Sequence, residues 1–283
     1  MTERSRTEQN TKIFLYVVAA VLSLVVFVTP LAWALLRSLQ SNAVITAAPD
    51  RSTFFDLTVG NFRHISAVGN IPRATLNSLI VSAGTAALTA LLATAAGYGF
   101  GRFRFRGSGV AFGLILVTLM IPFQAILTPL FLELNAMRLT DNLLGLVLFY
   151  TTVNLPFGVF VMRTAFASVP NELEDAANVD GAGPVRTLTR VLRPLVLPGM
   201  ATTALYAFLA SWTEFLGALT FLTKQELYTL PVALLNLQQG AYGSIDYGLL
   251  AAGAVIAMVP CVVLFVALQR YYVAGLSAGA VKG

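Results

Sequence analysis

Residues 13–36 read IFLYVVAAVLSLVVFVTPLAWALL, a run without a charged residue that lies between Lys12 and Arg37. A helix needs about 20 predominantly apolar residues to cross the hydrocarbon core of a bilayer. The run is longer than the apolar core of a typical secretory signal peptide, and no clean A-x-A cleavage site follows it. It therefore predicts an uncleaved membrane helix near the start of the chain.

The rest of the chain has the same character. Of its 283 residues, 57% are hydrophobic and only 11% are charged, whereas about a quarter of the residues of a soluble domain are charged. This composition excludes a soluble enzyme, a disordered chain and a fibrous protein, and it predicts an all-α membrane protein with six transmembrane helices. The five further apolar runs lie at about 76–100, 110–132, 143–162, 197–222 and 247–268.

The Lys and Arg residues indicate the orientation of the chain. With the N-terminus in the cytoplasm, twelve of them lie on the cytoplasmic side and six on the outer side, which is the usual bias of membrane proteins. The sequence therefore predicts cytoplasmic N- and C-termini, and the net charge of +5 does not indicate a nucleic-acid partner. The predicted divisions are a cytoplasmic tail at 1–12, a first transmembrane helix at 13–36, an extracytoplasmic segment at 37–73, a five-helix core at 74–268 that includes a cytoplasmic loop at 165–195, and a cytoplasmic tail at 269–283.

The loop at 165–195 is the largest predicted cytoplasmic loop. Ser168 or Asn171 can cap a helix, and the acidic residues that follow favour a helix N-terminus. Gly181 can end this helix in a left-handed conformation. The loop therefore predicts a short acidic helix followed by a sharp corner.

The second half of the loop predicts another short helix. Pro184 can open it, and we expect Pro194 and Pro198 to end it near the membrane surface. On the pattern alone, two interpretations of the loop stay open. It is either a solvated hairpin between two membrane helices or a helix with small side chains that a groove of another protein grips.

A family resemblance favours the second interpretation. The stretch DAANVDGAG at 175–183, followed by Val191 and Pro194, resembles the EAA motif of binding-protein-dependent ABC importer permeases. The family pattern is Glu-Ala-Ala, three residues, Gly, nine residues, then Ile-x-Leu-Pro. The chain departs from it by an Asp at the position of the Glu, with Glu174 beside it, and by Arg193 at the position of the Leu.

The resemblance extends over about residues 70–283. The order and spacing of several short motifs are similar to those of the second, six-helix permease subunit of carbohydrate-uptake ABC transporters of the maltose and glycerol-phosphate type. These motifs are Asn77-Ser-Leu79, Gly97-Tyr98, the basic stretch at 102–107, Met120-Ile-Pro122, Pro156-Phe157, Trp212-Thr-Glu-Phe215, Thr229-Leu-Pro231 and the tail at 269–283.

This resemblance implies a type I ABC importer permease fold in the inner membrane, and a transport subunit rather than an enzyme. It implies that the loop is a coupling helix in a cleft of a cytoplasmic ATPase. The implied partners are a second homologous permease subunit, two ATPase subunits, an extracytoplasmic solute-binding protein and membrane lipid. Since the sequence has no G-x-x-x-x-G-K-[ST] loop, ATP and Mg²⁺ are expected on the ATPase, and no cofactor or metal is expected in this chain. The implied coupling residues are Glu174, Asp175, Ala176, Ala177, Asp180, Gly181 and Ala182.

Polar residues inside the membrane runs are candidates for the solute pathway, because ionisable groups in a bilayer are costly and usually functional. Amides and carboxylates bond sugar hydroxyls, and aromatic rings stack on pyranose faces. The same groups also form interhelical hydrogen bonds of about 0.6–2 kcal/mol, so both interpretations stay open. The candidates are Gln124, Asn154, Tyr206, Trp212 and Glu214.

Three other functions compete with this prediction. An ion-coupled secondary transporter would use Glu214 as a proton site, but the small size and the lack of a visible repeat pair count against it. A membrane-embedded enzyme lacks a metal or nucleophile constellation, since His64 and Cys261 are the only residues of their types. An ABC importer for a non-sugar solute is the nearer alternative. We interpret the arginines at 102–106 as an anchor beside anionic lipid headgroups.

Overall fold

The computed structural model describes the backbone of residues 3–47, 55–68, 70–238 and 245–280, and the side chains of 12–47, 55–68, 70–238 and 245–267. The chain divides into two compact units, Met1–Gly69 with Asn236–Met258 and Asn70–Leu235 with Val259–Gly283. The helices are α1 (Glu3–Ser38), α2 (Asn42–Thr46), α3 (Gly60–Ile65), α4 (Ile71–Arg102), α5 (Ser108–Thr118), α6 (Phe123–Ala136), α7 (Leu143–Ala167), α8 (Glu172–Val179), α9 (Pro184–Arg186), a π-helical turn (Thr187–Leu192), α10 (Arg193–Thr213), α11 (Leu216–Phe221), a 3₁₀ turn (Gln225–Leu227), α12 (Leu230–Gln238) and α13 (Tyr247–Ala280).

The first predicted run, 13–36, lies within helix α1 of the first unit, which confirms that this run is helical. Its stretch Lys12–Ser38 is long and apolar enough to cross a membrane, with a mean hydropathy of 2.5. The side chains from Lys12 to Trp33 are exposed, and a helix that is apolar on all sides suits lipid as its surroundings. Because the helix begins at Glu3, most of the predicted tail at 1–12 is helical as well.

The segment after α1 is tied to the end of that helix. The side-chain amide of Asn61 donates to the carbonyl oxygens of Ser38 and Gln40, both at 2.8 Å. The backbone N–H of Thr58 donates to the carbonyl oxygen of Leu39 at 2.6 Å. These bonds satisfy carbonyls that the end of a helix leaves without partners.

Three long helices, α4, α7 and α10, form the centre of the second unit. A Cβ atom on Gly158 of α7 would lie 2.8 Å from Thr203 Cγ2 of α10 and 2.9 Å from Ala93 Cβ of α4. Only glycine therefore allows the three helices to approach this closely. Lipid supplies no hydrophobic force between helices, so this close packing is what holds them together.

The third predicted run, 110–132, is not a single straight helix. It forms α5 and α6, which are bent by 98° at the break between them. Pro122 explains the break, because it lacks a backbone N–H and disfavours a helical conformation of Ile121. Among the described residues, five helices can cross a membrane by length and composition, and the bent pair makes a sixth if it is one span.

The fifth predicted run, 197–222, begins and ends earlier than expected. Residues Pro184–Thr213 form one continuous helical segment, so the expectation that Pro194 and Pro198 end a short helix is wrong. The π-helical turn precedes Pro194, and the N–H of Arg193 after it donates five residues back, to the carbonyl of Leu188. A π-turn changes the hydrogen-bonding register, which accommodates a proline that lacks a donor.

Two of the short motifs bind each other in the second unit. The Asn77 side-chain amide donates to the carbonyl oxygens of Glu226 and Tyr228 at 2.9 and 3.0 Å. The hydroxyl of Ser78 accepts the N–H of Leu230 at 2.8 Å. The Asn-Ser pair on α4 therefore fixes the start of α12, since these bonds use backbone groups that the turn leaves free.

Candidate functional site

Helix α8 has the predicted position and the predicted end. Gly181 has a φ of +73°, a left-handed conformation that favours glycine. The N–H of Ala182 donates to the carbonyl of Ala177 at 2.9 Å, and the N–H of Gly181 donates to the carbonyl of Asn178 at 3.0 Å. This pair of bonds is the Schellman motif, and it sets the direction in which the chain leaves α8.

The two faces of α8 differ in character. Ala177 is the buried residue of this helix, so its small side chain serves packing within the hairpin. Val179 is 88% exposed and Leu173 is 40% exposed, and Ala176 between them is also exposed. These three residues, spaced by three, form an exposed apolar strip that we call the α8 strip.

The remaining predicted coupling residues surround the α8 strip. The acidic residues of the first turn suit the positive end of the helix dipole. Beyond the corner, Val185 adds a further exposed apolar side chain, at 75% exposure. The outward-facing members of the predicted set are Asp175, Ala176, Asp180 and Gly181, while Glu174 and Ala182 are partly buried.

The second arm of the hairpin runs directly into a membrane helix. The segment Pro184–Thr213 contains 30 residues, which corresponds to about 45 Å at 1.5 Å per residue. The hydrocarbon core is about 30 Å thick, so the segment is several turns longer than the core. The segment is helical from Pro184 to Thr213, and it contains the π-helical turn and Pro198.

Arg102, the last residue of α4, binds the start of α8. Its Nη1 donates to Asn171 Oδ1 at 2.6 Å, its Nη2 donates to the Val169 carbonyl at 2.7 Å, and its Nε lies 2.8 Å from Glu174 Oε1. Only 6% of the Arg102 side chain is exposed. The interpretation of Arg102 as a lipid-headgroup anchor is therefore wrong, whereas Arg104 and Arg106 are exposed.

Glu214 lies between α10 and α11, where the backbone is extended. Its Oε2 accepts the hydroxyl of Tyr150 on α7 at 2.5 Å and the N–H of Gly217 at 2.9 Å. The carboxylate therefore caps α11 and joins it to α7. These contacts support the interhelical interpretation of Glu214 in this conformation.

The other end of α11 is held by the backbone and the side chain of Asp141. The N–H of Asp141 donates to the Phe221 carbonyl at 2.9 Å, and the Asp141 side chain accepts the hydroxyl and the N–H of Thr223 at 2.7 and 2.6 Å. The bond from the Thr223 hydroxyl, followed by the bond from its N–H, lowers the pKa of the Asp141 carboxyl. Hydrogen bonds to a carboxylate stabilise its charged form.

The other predicted pathway residues do not share one environment. Tyr206 is 44% exposed, and its ring centroid lies 4.1 Å from that of Phe157. Both line an open apolar groove of about 600 Å³ with Thr202 and Thr213. Gln124 is exposed in the first turn of α6.

Asn154 and Trp212 are buried. Asn154 is 6% exposed, and its side-chain amide donates to the Tyr150 carbonyl at 2.7 Å. Trp212 is 2% exposed and stacks on Phe208 with 5.8 Å between ring centroids. Neither side chain lines an open passage in this conformation.

Residues 90–277 match the family described as the binding-protein-dependent transport system inner membrane component. The chain belongs to this family. It is a multi-pass membrane permease component of an ABC transporter, and this confirms the family resemblance, the membrane localisation and the prediction of a transport subunit. A permease of this family works with an ATPase and a binding protein.

Two relatives cover most of the permease. It is 43% identical over 225 residues to a Streptomyces antibioticus protein named provisionally as an ABC transporter permease. This alignment covers 80% of this chain and 97% of the relative. It is 32% identical over 266 residues to the sulfoquinovosyl glycerol transport system permease protein of Agrobacterium fabrum, which covers 94% and 93%.

A solved structure confirms the predicted fold. The permease matches a chain of a bacterial ABC transporter involved in the import of the acidic polysaccharide alginate, with a TM-score of 0.78. The match covers 96% of the permease and 99% of that chain at 20% identity. It therefore establishes the type I importer permease fold, while the orientation of the termini and the roles of single residues stay predictions.

The sequence analysis missed three residues of these sites. Arg102 stands in a basic cluster, and the spacing of the cluster does not distinguish it from its exposed neighbours. Tyr150 lies in an apolar run, where a single hydroxyl is a weak signal for a buried partner. Asp141 lies in a short loop, and only its contact with Thr223, 82 positions away, reveals its role.

Proposed function

We propose that the permease forms half of the translocation pathway of an ATP-driven importer for a sugar or sugar-like solute. The family membership supports the importer, and the solutes for which its relatives are named, sulfoquinovosyl glycerol and alginate, support a carbohydrate. A second homologous permease would form the other half of the pathway. Two ATPase subunits would bind ATP and Mg²⁺, and both termini of this chain would lie in the cytoplasm with them.

In this proposal α8 is the coupling helix, and the observation that supports it is the exposed α8 strip. Leu173, Ala176 and Val179 are apolar side chains at the tip of a polar hairpin, where water would otherwise cover them. Burial of such side chains in a groove is favourable by about 25 cal/mol per Å². The strip therefore fits a partner with an apolar cleft, and the acidic residues beside it fit a basic rim on that cleft.

The hairpin also supports a mechanical role. Gly181 sets the corner, and Pro184–Thr213 continues from the corner into the membrane as one helical segment. Movement of a docked ATPase would therefore tilt α10 relative to the bilayer. This is the conversion that an ATP-driven importer requires.

The groove beside Tyr206 is the best candidate for a solute contact in this chain. Tyr206 and Phe157 offer aromatic surface, and the hydroxyls of Thr202 and Thr213 retain lone pairs that can accept sugar hydroxyls. Among the five predicted pathway residues, Tyr206 has this arrangement. Exchange of Tyr206 for Ala in the assembled transporter is expected to raise the KM for solute and to leave ATPase binding unchanged.

The test of the coupling role is Val179→Asp against Val179→Ala. Because Val179 is 88% exposed, both changes should leave the stability of the permease within about 0.5 kcal/mol. Aspartate would bring a charge into the apolar cleft, so it should reduce copurification of the ATPase at least about tenfold and abolish uptake. Normal ATPase binding and uptake with Val179→Asp would refute the proposed coupling surface.

A further inference from the structure

We propose that Arg102 is a positioning residue of the coupling machinery, which ties the first turn of α8 to the end of the membrane helix α4. The inference rests on the proposed function, because it requires that the ATPase moves α8. The chain itself connects α8 to α7 on one side and to α10 on the other. Arg102 adds a third connection, made by side-chain contacts, that leads directly to α4.

The Arg102 side chain connects the end of α4 to three groups at the start of α8. Two of its guanidinium nitrogens donate hydrogen bonds, one to the Val169 carbonyl in the corner before α8 and one to the Asn171 side chain at the start of α8. The third, Nε, forms an ion pair with the Glu174 carboxylate in the first turn of α8, at 2.8 Å from Oε1. The nitrogens of a guanidinium are rigidly linked in a plane. The three partner groups therefore keep fixed positions relative to one another and to α4.

The side chain of Asn171 binds Arg102 instead of capping the N-terminus of α8. Asparagine is among the best N-cap residues, and Asn171 occupies the N-cap position of α8, yet its side chain makes no capping hydrogen bond. Its Oδ1 accepts Arg102 Nη1 instead. A group that would normally serve α8 alone therefore joins α8 to another helix.

The end of α4 is itself firmly packed, so it can receive a force. Tyr98 on α4 and Phe166 on α7 have ring centroids 5.4 Å apart. Met162 and Phe166 are fully buried in the same apolar cluster. A displacement of α8 must therefore either break the Arg102 contacts or move the ends of α4 and α7 together.

The experiment uses the complete transporter in proteoliposomes, with ATP hydrolysis and solute uptake measured in the same vesicles. Arg102→Ala should lower the number of solutes transported per ATP about tenfold, within the usual range of coupling between two sites. Arg102→Lys keeps the charge but cannot reach all three partner groups at once. Its number of solutes transported per ATP should therefore lie between those of Arg102→Ala and the unaltered protein. Arg104→Ala, a change at an exposed neighbour, is the matched control and should transport as many solutes per ATP as the unaltered protein.

Copurification of the ATPase separates this inference from the proposed function. If Val179→Asp abolishes ATPase binding while Arg102→Ala transports a normal number of solutes per ATP, the positioning role is overturned and the docking surface stands. If Val179→Asp leaves binding intact, the docking surface itself fails. If Arg102→Ala does not insert into the membrane, Asn171→Ala and Glu174→Gln replace it, because each removes one contact of Arg102. A normal number of solutes transported per ATP in both variants overturns the positioning role.

Discussion

The short helices α8 and α11 each follow a membrane-spanning helix, but they are held in different ways. The Glu214 carboxylate accepts an N–H at the start of α11. At its end, the backbone N–H of Asp141 binds the Phe221 carbonyl, and the Asp141 carboxylate binds Thr223 just after the helix. Helix α8 is attached by the Arg102 guanidinium and by the packing of Ala177, and its apolar strip is exposed on another side. The comparison indicates that α11 is a fixed part of the fold, whereas α8 keeps an exposed apolar strip, as the proposed contact with an ATPase requires.

Burial accounts for this difference. Gly217, Ala218 and Phe221 are buried in α11, which has six residues, whereas Ala177 is the buried residue of α8, which has eight. Packing therefore decides the position of α11, whereas α8 depends on the corner at Gly181, on Arg102 and on the single buried residue Ala177. Changes in α11 should act mainly on stability, and changes in α8 mainly on transport.

The largest expected effect on stability is that of Phe221→Ala. Phe221 is 2% exposed and lies 4.8 Å from Phe149 between ring centroids, so its loss should destabilise the permease by about 3–5 kcal/mol. The measurement is thermal unfolding in detergent. Leu219→Ala on the same helix is the control, because Leu219 is 43% exposed and should have a much smaller effect; equal effects would mean that packing does not fix α11.

Glu214→Gln tests whether the carboxylate holds α11 or contacts solute. The change weakens the bonds from Tyr150 and Gly217, so we expect a loss of about 1.5–3 kcal/mol in stability, the range for hydrogen bonds to charged groups. Tyr150→Phe removes the hydroxyl partner and should give part of this loss. Altered solute selectivity with unchanged unfolding would instead assign Glu214 to the pathway.

Gly181→Val tests the corner of α8. A β-branched residue at this φ adds about 1–2 kcal/mol of backbone strain, although a Cβ there meets no atom within 4 Å. We expect normal insertion in the membrane, weaker ATPase binding and little uptake. Gly181→Asn is the matched control, because asparagine tolerates the left-handed region; equal uptake by the two variants would show that the corner does not depend on this conformation.

The smallest expected effect is a pH dependence at Asp141. Because the bonds from Thr223 lower its pKa in the folded protein, its stabilising contribution is present above its unfolded pKa of about 3.9 and is lost as the pH falls through the lower folded value. The measurement is the thermal unfolding midpoint between pH 6 and pH 3, roughly the range in which carboxylates titrate. As the pH falls, the midpoint of Asp141→Asn should decrease less steeply than that of the unaltered protein. Identical slopes would show that the carboxylate does not clamp α11.

The short-range features of the site were predictable from the sequence. The end of α8 at Gly181 and the start of the next helix at Pro184 follow from the backbone preferences of single residues. The positions of Pro194 and Pro198 misled the prediction, because a π-helical turn precedes Pro194 and α10 continues through Pro198. A local pattern of apolar residues and prolines does not reveal such a change of hydrogen-bonding register.

Sequence alone determined that this protein resides in a membrane, that its chain carries the EAA-like loop, and where that loop turns, because hydropathy and the preferences of glycine and proline act over a few residues. Tertiary structure decided which of three similar arginines is buried, that Glu214 and Asp141 clamp a short helix, and which face of α8 remains open. The reason is that these contacts join residues up to 82 positions apart. Whether a charged side chain meets a partner, lipid or water depends on how the helices pack.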